Sequence, residues 1–175
     1  YCFCIFMLFF VCFVFVCVVM RQRQLSVTRV RSSAASVVYK RQFETLYVNF
    51  IARKTGNWIS GSGYNEYNDD IAWMCIACVR AYLLTGVTKY LTTAKSNFDG
   101  MYARAAKYAN GTLVWKQGNG GTNSCINGPA AVCACYLGIA LNKEDYFQKA
   151  ATIYAGERGL LYNINSQGVF NGQVY

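Results

Sequence analysis

From residue 37 onward, apolar side chains recur at helical spacing, interrupted by two long polar stretches. Residues 37–55 read as one helix, ended by Thr55-Gly56-Asn57. The segment 57–67 (NWISGSGYNEY) reads as a loop rich in Gly, Asn and aromatic rings. Asn68 or Asp69 is placed to cap a helix running to about Thr85, and Gly86 supplies a left-handed stop. Lys89 to about Ala106 reads as the next helix, and 109–124 (ANGTLVWKQGNGGTNS) as a second loop. Asn127-Gly128-Pro129 then opens a further core helix, with Pro129 suited to a first turn, and Lys143 to about Leu161 forms its partner.

The two helix pairs share a pattern. Tyr90-Leu91, Ala94 and Phe98 match Tyr146-Phe147, Ala150 and Tyr154 at one offset, 146 − 90 = 56, and Ala77 and Cys133 share it. A period of that length, made of helix–turn–helix units, indicates a stacked or closed helical array. In each unit an apolar helix (71–84, with Arg80 its one charge, and 129–141) precedes an amphipathic one (88–106, 143–161), so the first is expected inside and the second outside. Long Gly/aromatic loops before the inner helices favour a toroid of helical hairpins over an open solenoid with short regular turns. The fold class expected is therefore all-α.

Composition sharpens this picture in three places. The chain is 54% hydrophobic and 14% charged with one proline, which excludes a disordered tail and fits a helical domain. The net charge is +9, but residues 21–41 alone carry six Lys/Arg and no acid. Residues 42–175 hold eleven Lys/Arg against eight Asp/Glu, leaving +3, so no folded basic face is available for nucleic acid. Histidine is absent, which removes His-based nucleophile activation and His-containing zinc sites from this chain.

Residues 1–36 read as a separate segment. Residues 1–20 are apolar throughout, close to the ~20 needed to span a hydrocarbon core, and RQRQ follows at once. A membrane anchor and a signal peptide are two readings, placing the protein outside the cell, secreted or membrane-anchored. A third is that 1–36 is not native protein. The domain proper is then 37–175, and a chain that starts at Tyr1 rather than Met and stops at Tyr175 without an obvious C-terminal cap is expected to be a fragment of a longer protein.

Chemistry gathers at Asp69-Asp70. Adjacent carboxylates before an apolar run (Ile71-Ala72-Trp73-Met74) commonly serve as a helix cap and dipole complement. Here Trp58, Tyr64, Tyr67 and Trp73 lie around them, and flat rings stack on sugar faces. Glycoside hydrolysis needs one ionised carboxylate at the anomeric carbon and one protonated carboxyl for the leaving oxygen. Consecutive residues can hold the two groups ~5 Å apart, the separation of a retaining mechanism. The spacing does not order the two roles.

The run YNEYNDDIAWMCIACVRAYLLTGVTKYLTTAKSNFDGMYAR, followed by GGTNSCINGPAAVCACYLGIA, resembles glycoside hydrolase family 76 over about residues 57–170, most specifically in NDDIAW. The resemblance implies an (α/α)6 toroid, of which this chain supplies about three hairpins, and action on α-1,6-linked mannan or a related cell-wall glycan. It makes Asp69 the nucleophile and Asp70 the acid/base of a retaining mechanism. Met74 stands where many members carry a second aromatic residue. Expected sugar contacts are Tyr67, Asn68 and Trp73 on the first loop and helix, and Trp115, Asn123 and Asn127 on the second, with Asn127 also read as a cap.

No cofactor or metal is expected. Cys75 and Cys78, spaced i and i+3, and Cys133 and Cys135 read as small core residues on apolar helices. The expected partner is a polysaccharide, with no nucleic acid, possible membrane association resting on residues 1–20 alone, and a monomeric state. Two alternatives stand beside the hydrolase: a non-catalytic helical-repeat module binding glycan or protein, and a different helical-toroid enzyme such as an epimerase or lyase. The lack of histidine weakens the last.

Overall fold

The computed structural model describes residues 33–54, 56–105, 108, 110–118, 121–161 and 173–174. The apolar run 1–20 and the basic stretch up to Arg31 lie outside them, so the anchor, signal and non-native readings do as well. Five α-helices account for nearly all the described structure: α1 (Ser33–Lys54), α2 (Asn68–Thr85), α3 (Thr88–Arg104), α4 (Ser124–Leu141) and α5 (Glu144–Leu160). A short antiparallel pair joins β1 (Thr122–Asn123) to β2 (Gln173–Val174). The chain forms two compact units, Tyr1–Phe50 and Ile51–Tyr175. The first contains most of α1, which starts four residues before the predicted Val37.

The second unit is two helical hairpins, α2–α3 and α4–α5, with α2 packed against α4. Ile71, Ala72, Cys75 and Val79 on α2, and Ile126, Ala130, Cys133, Ala134 and Leu137 on α4, are fully enclosed. Small side chains at this seam let the two backbones approach closely. The Cys75 thiol lies against Cys133, and burial foremost raises its pKa. Cys133 and Cys135 face opposite ways, one buried and one exposed. The outer helices keep a narrower apolar stripe, such as Tyr90, Ala94, Phe98 and Met101 on α3. Tyr146 on α5 donates its hydroxyl hydrogen to Asp99 on α3 at 2.8 Å, tying the two outer helices together.

The 56-residue register extends to the backbone. Asn68 and Ser124 start the inner helices, Thr88 and Glu144 the outer ones, and each pair differs by 56. Gly86 (φ 73°) and Asn142 (φ 52°) end the inner helices in the left-handed region, also 56 apart. Burial departs from the repeat at one edge: Phe98 is 0% exposed beneath the second hairpin, whereas its counterpart Tyr154 is 55% exposed. Among the described residues there are two complete hairpins, where about three were expected.

Two predicted helix starts move. α4 begins at Ser124, three residues ahead of Asn127, because the Asn123 side chain accepts a hydrogen bond from Ile126 N at 3.2 Å and caps the helix. Asn127 is therefore not the cap, and Pro129 sits inside the helix rather than in its first turn. At α2 neither Asn68 nor Asp69 caps. The N-cap is Tyr67, with no side-chain cap bond.

The register also fixes where the loops cross the outer helices. A Cβ at Gly100 would lie 2.7 Å from Ile59 of the first loop, and one at Gly156, 56 residues on, 2.3 Å from the Asn110 carbonyl oxygen of the second. Glycine at both positions lets a loop pass directly over the helix. The Ile59 atoms met are the stiff Cβ and Cγ positions, yet a side chain on a loop shifts more readily than a backbone carbonyl. Gly156→Ala is expected to destabilise by about 2 kcal/mol or more and Gly100→Ala by roughly half that, read from urea unfolding midpoints.

Candidate active site

The two loops are shaped by asparagine side chains that satisfy backbone groups. In the first, Asn57 Oδ1 accepts from Ile59 N (2.9 Å), and Asn65 Oδ1 accepts from Tyr67 N (2.9 Å). Asn97, buried on α3, accepts from Trp58 N (2.8 Å) and donates to the carbonyls of Gly56 and Thr93 (both 2.9 Å). In the second, Asn127 Oδ1 accepts from Leu113 N (2.8 Å), while its amide donates to Thr122 Oγ1 (2.7 Å) and the Asn123 carbonyl (2.8 Å).

The loops then pair with each other beside the acids. Asn68 N donates to the Trp115 carbonyl (2.9 Å), Gln117 N donates to the Glu66 carbonyl (2.8 Å), and Tyr67 and Lys116 form an antiparallel bridge. The Asn68 amide adds a bond to the Val114 carbonyl at 2.9 Å. This short ladder carries the Trp115 indole N–H beside the Asp69 carboxyl, where it favours the ionised form. Tyr67 packs on Trp115 with ring centroids 5.2 Å apart.

Asp69 and Asp70 occupy the first turn of α2, at its positive end. Asp70 Oδ2 accepts from the Asn65 amide at 3.2 Å. Asp69 is largely desolvated, and its Oδ1 is buried without a hydrogen-bond partner. Burial pushes its pKa up to about 6; the Trp115 N–H pulls against this, and the neighbouring Asp70 charge adds to the rise. An ordinary capping or surface aspartate has no such shift. In the second hairpin the register places Cys125 and Ile126 where the first has Asp69 and Asp70, so the scaffold repeats and the acids do not.

The expected sugar contacts divide into two groups. Tyr67 and Trp115 are half-buried beside the acids, and Trp73 (43% exposed) lies one turn along α2. Tyr64, also 50% exposed, presents a ring on the first loop. Asn68 and Asn127 are 0% exposed with their amides bonded to the loops, which makes them framework residues rather than rim contacts. Asn123 is the α4 cap, and Trp58, at 3% exposed, is a core ring rather than a sugar platform. Sequence reasoning missed Asn65 and Arg104. Asn65 sits within the NEYNDD run, five residues before Asp70, where a polar side chain can fold back. Arg104 is 36 residues from the Asn68 side chain it bonds, and no local pattern marks it.

Helical hairpins thus carry a carboxylate pair where α2 begins, with the rings of Tyr67 and Trp115 beside it. The family model for Glycosyl hydrolase family 76 matches residues 38–170, and the chain belongs to that family. Its hairpins are part of the all-α toroid of that family. The alpha-1,6-mannanase from Salegentibacter sp. HEL1_6 is similar at 27% identity with a TM-score of 0.60, over 69% of this chain and 34% of that one. A variant of the same mannanase, with two consecutive aspartates replaced by alanine, is described as inactive and holds alpha-1,6-mannotetrose. It matches at 25% identity and TM-score 0.54, over 62% of this chain and 36% of that one. The Lin0763 protein from Listeria innocua shares the fold at 18% identity and TM-score 0.70, over 95% of this chain and 43% of that one. The chain thus spans about a third of the mannanase's length. No curated protein sequence matches it.

The raised pKa of Asp69 makes stability depend on pH. The folded state holds this proton more tightly than the unfolded chain, so the contribution of Asp69 to stability is greatest below the unfolded value of 3.8 and falls as pH rises to about 6. Asp69→Asn removes the charge and keeps an acceptor for Trp115. The variant is expected to gain about 2 kcal/mol over wild type at about pH 8 compared with about pH 3.5, measured by urea unfolding at both.

Proposed function

We propose that this chain carries the catalytic carboxylates of a retaining glycoside hydrolase acting on α-1,6-linked mannan or a related cell-wall glycan. The supporting observation is that neither Asp69 nor Asp70 caps its helix, while Asp69 is desolvated beside the Trp115 indole. A carboxylate kept in that state does nothing for stability at neutral pH and is suited to bond-making. The inactive double-alanine variant of the Salegentibacter mannanase points to an adjacent aspartate pair in a relative. A purely binding module would let both carboxylates reach water.

In this reading Asp69, ionised above pH about 6, attacks the anomeric carbon as Asp70 gives its proton to the leaving glycosidic oxygen. The C–O bond breaks and a glycosyl ester forms on Asp69. Asp70, now a carboxylate, takes a proton from water, and that water's oxygen displaces Asp69 to restore the starting configuration. Desolvation makes the Asp69 carboxylate a better nucleophile, and the positive end of α2 accepts its charge. Tyr67, Trp73 and Trp115 provide rings for neighbouring sugar units. A cell-wall substrate places the enzyme outside the cell.

Asp69→Asn and Asp70→Asn are each expected to lower cleavage of α-1,6-mannan by about 10³-fold or more. Full activity in both variants would remove the assignment. The order of roles has its own readout. With Asp69 as nucleophile, kcat/KM rises with pH through a midpoint near 6; with Asp69 as the acid it falls through that midpoint. Azide added to the variants separates them as well: the nucleophile variant yields a mannosyl azide of inverted configuration, the acid/base variant a retained one.

A further inference from the structure

We infer that Arg104 is the positioning residue for both carboxylates, acting on Asp70 through Asn65 and on Asp69 through Asn68 and the second loop. Arg104 lies in the last turn of α3, remote from the acids in sequence. Its Nη2 donates to the Asn65 carbonyl, and its Nε donates to Asn68 Oδ1 at 3.0 Å. The Tyr64 ring covers the guanidinium, 5.2 Å from Cζ to centroid.

Each of those two acceptors leads to a carboxylate. Asn65 has its main chain fixed by Arg104 and by its own N–H on the Trp58 carbonyl (2.9 Å), and its side-chain amide reaches Asp70 Oδ2. Asn68, with its oxygen occupied by Arg104, must turn its amide to the Val114 carbonyl. That bond and the adjacent Asn68 N–H to the Trp115 carbonyl hold the segment whose indole meets Asp69. The planar guanidinium fork fixes both acceptors at once, which a single ammonium does not.

The internal repeat separates this role from general support of the fold. At the 56-residue offset Arg104 corresponds to Leu160, Asn68 to Ser124 and Asn65 to Gly121, just as Asp69 and Asp70 correspond to Cys125 and Ile126. The second hairpin keeps the same helix bounds without the arginine, the Asn65 and Asn68 side chains or the acids. The whole relay occurs where the carboxylates are.

This inference rests on the proposed hydrolase reading for its kinetic arm only. Arg104→Lys keeps the charge and loses the fork. It is expected to lower kcat on α-1,6-mannan about 30-fold with KM within about threefold, because misplacing a catalytic group costs rate rather than binding. The second arm is NMR on the same variant: the Trp115 indole N–H beside Asp69 and the Asn65 side-chain amide donated to Asp70 are expected to shift. Wild-type positions for both signals, or kcat within about threefold of wild type in an enzyme that Asp69→Asn inactivates, would overturn the inference. If Asp69→Asn and Asp70→Asn both stay active, the hydrolase reading fails and the two NMR signals still decide the role of Arg104. Should Arg104→Lys not fold, Asn65→Ala cuts one relay alone. It is then expected to lower kcat and leave the Trp115 signal in place, and unchanged kcat would count against the relay.

Discussion

Two long loops rise from the same face of the hairpins, and their backbone polar groups need partners wherever water is excluded. The pairing of 66–68 with 114–117 supplies them, and Asn68 is its centre: main-chain N–H to Trp115, side-chain amide to Val114, side-chain oxygen to Arg104. A buried asparagine with one of those bonds missing would cost on the order of 1–3 kcal/mol, so the loops and the end of α3 lock as a set. Asp69, its indole partner, and the rings around it take their positions from that lock. Without it Trp115 belongs to a separate loop with no reason to lie beside an acid.

The 56-residue repeat explains what is scaffold and what is site. Helix starts, left-handed stops and the glycines beneath the loops recur at that offset, because both hairpins solve the same packing problem. The departures cluster at the mouth of α2. There a second-hairpin thiol and isoleucine become two aspartates, a leucine becomes Arg104 and a serine becomes Asn68. Repetition supplies the frame, and the chemistry is written where the repeat is broken.

The electrostatics of Asp69 bears on the assignment of roles. A carboxyl with a pKa near 6 is often the general acid, yet the family resemblance makes Asp69 the nucleophile. Burial, which raises the pKa, outweighs the Trp115 indole, which lowers it, and a carboxyl in that state can serve either role according to pH.

Helices α2 to α5, their order, the inner and outer division and the 56-residue period were all legible from the chain, because apolar spacing, Gly86 and the two Gly/Asn loops are local signals. The acid pair and the rings of Tyr67, Trp73 and Trp115 were legible as residue types near one another. The structure makes Asn127 no cap and buries Asn68 and Asn127, which were expected as sugar contacts, since burial of a loop residue depends on what crosses over it. It gave no sign of Asn65 or Arg104, whose partners lie up to 39 residues away. The Asp pair alone is a helix start by local rules. Only the meeting of the two loops above it removed its water, raised the pKa of Asp69 and gave that carboxylate an indole to point at, because desolvation and hydrogen-bond direction are properties of what the folded chain brings together.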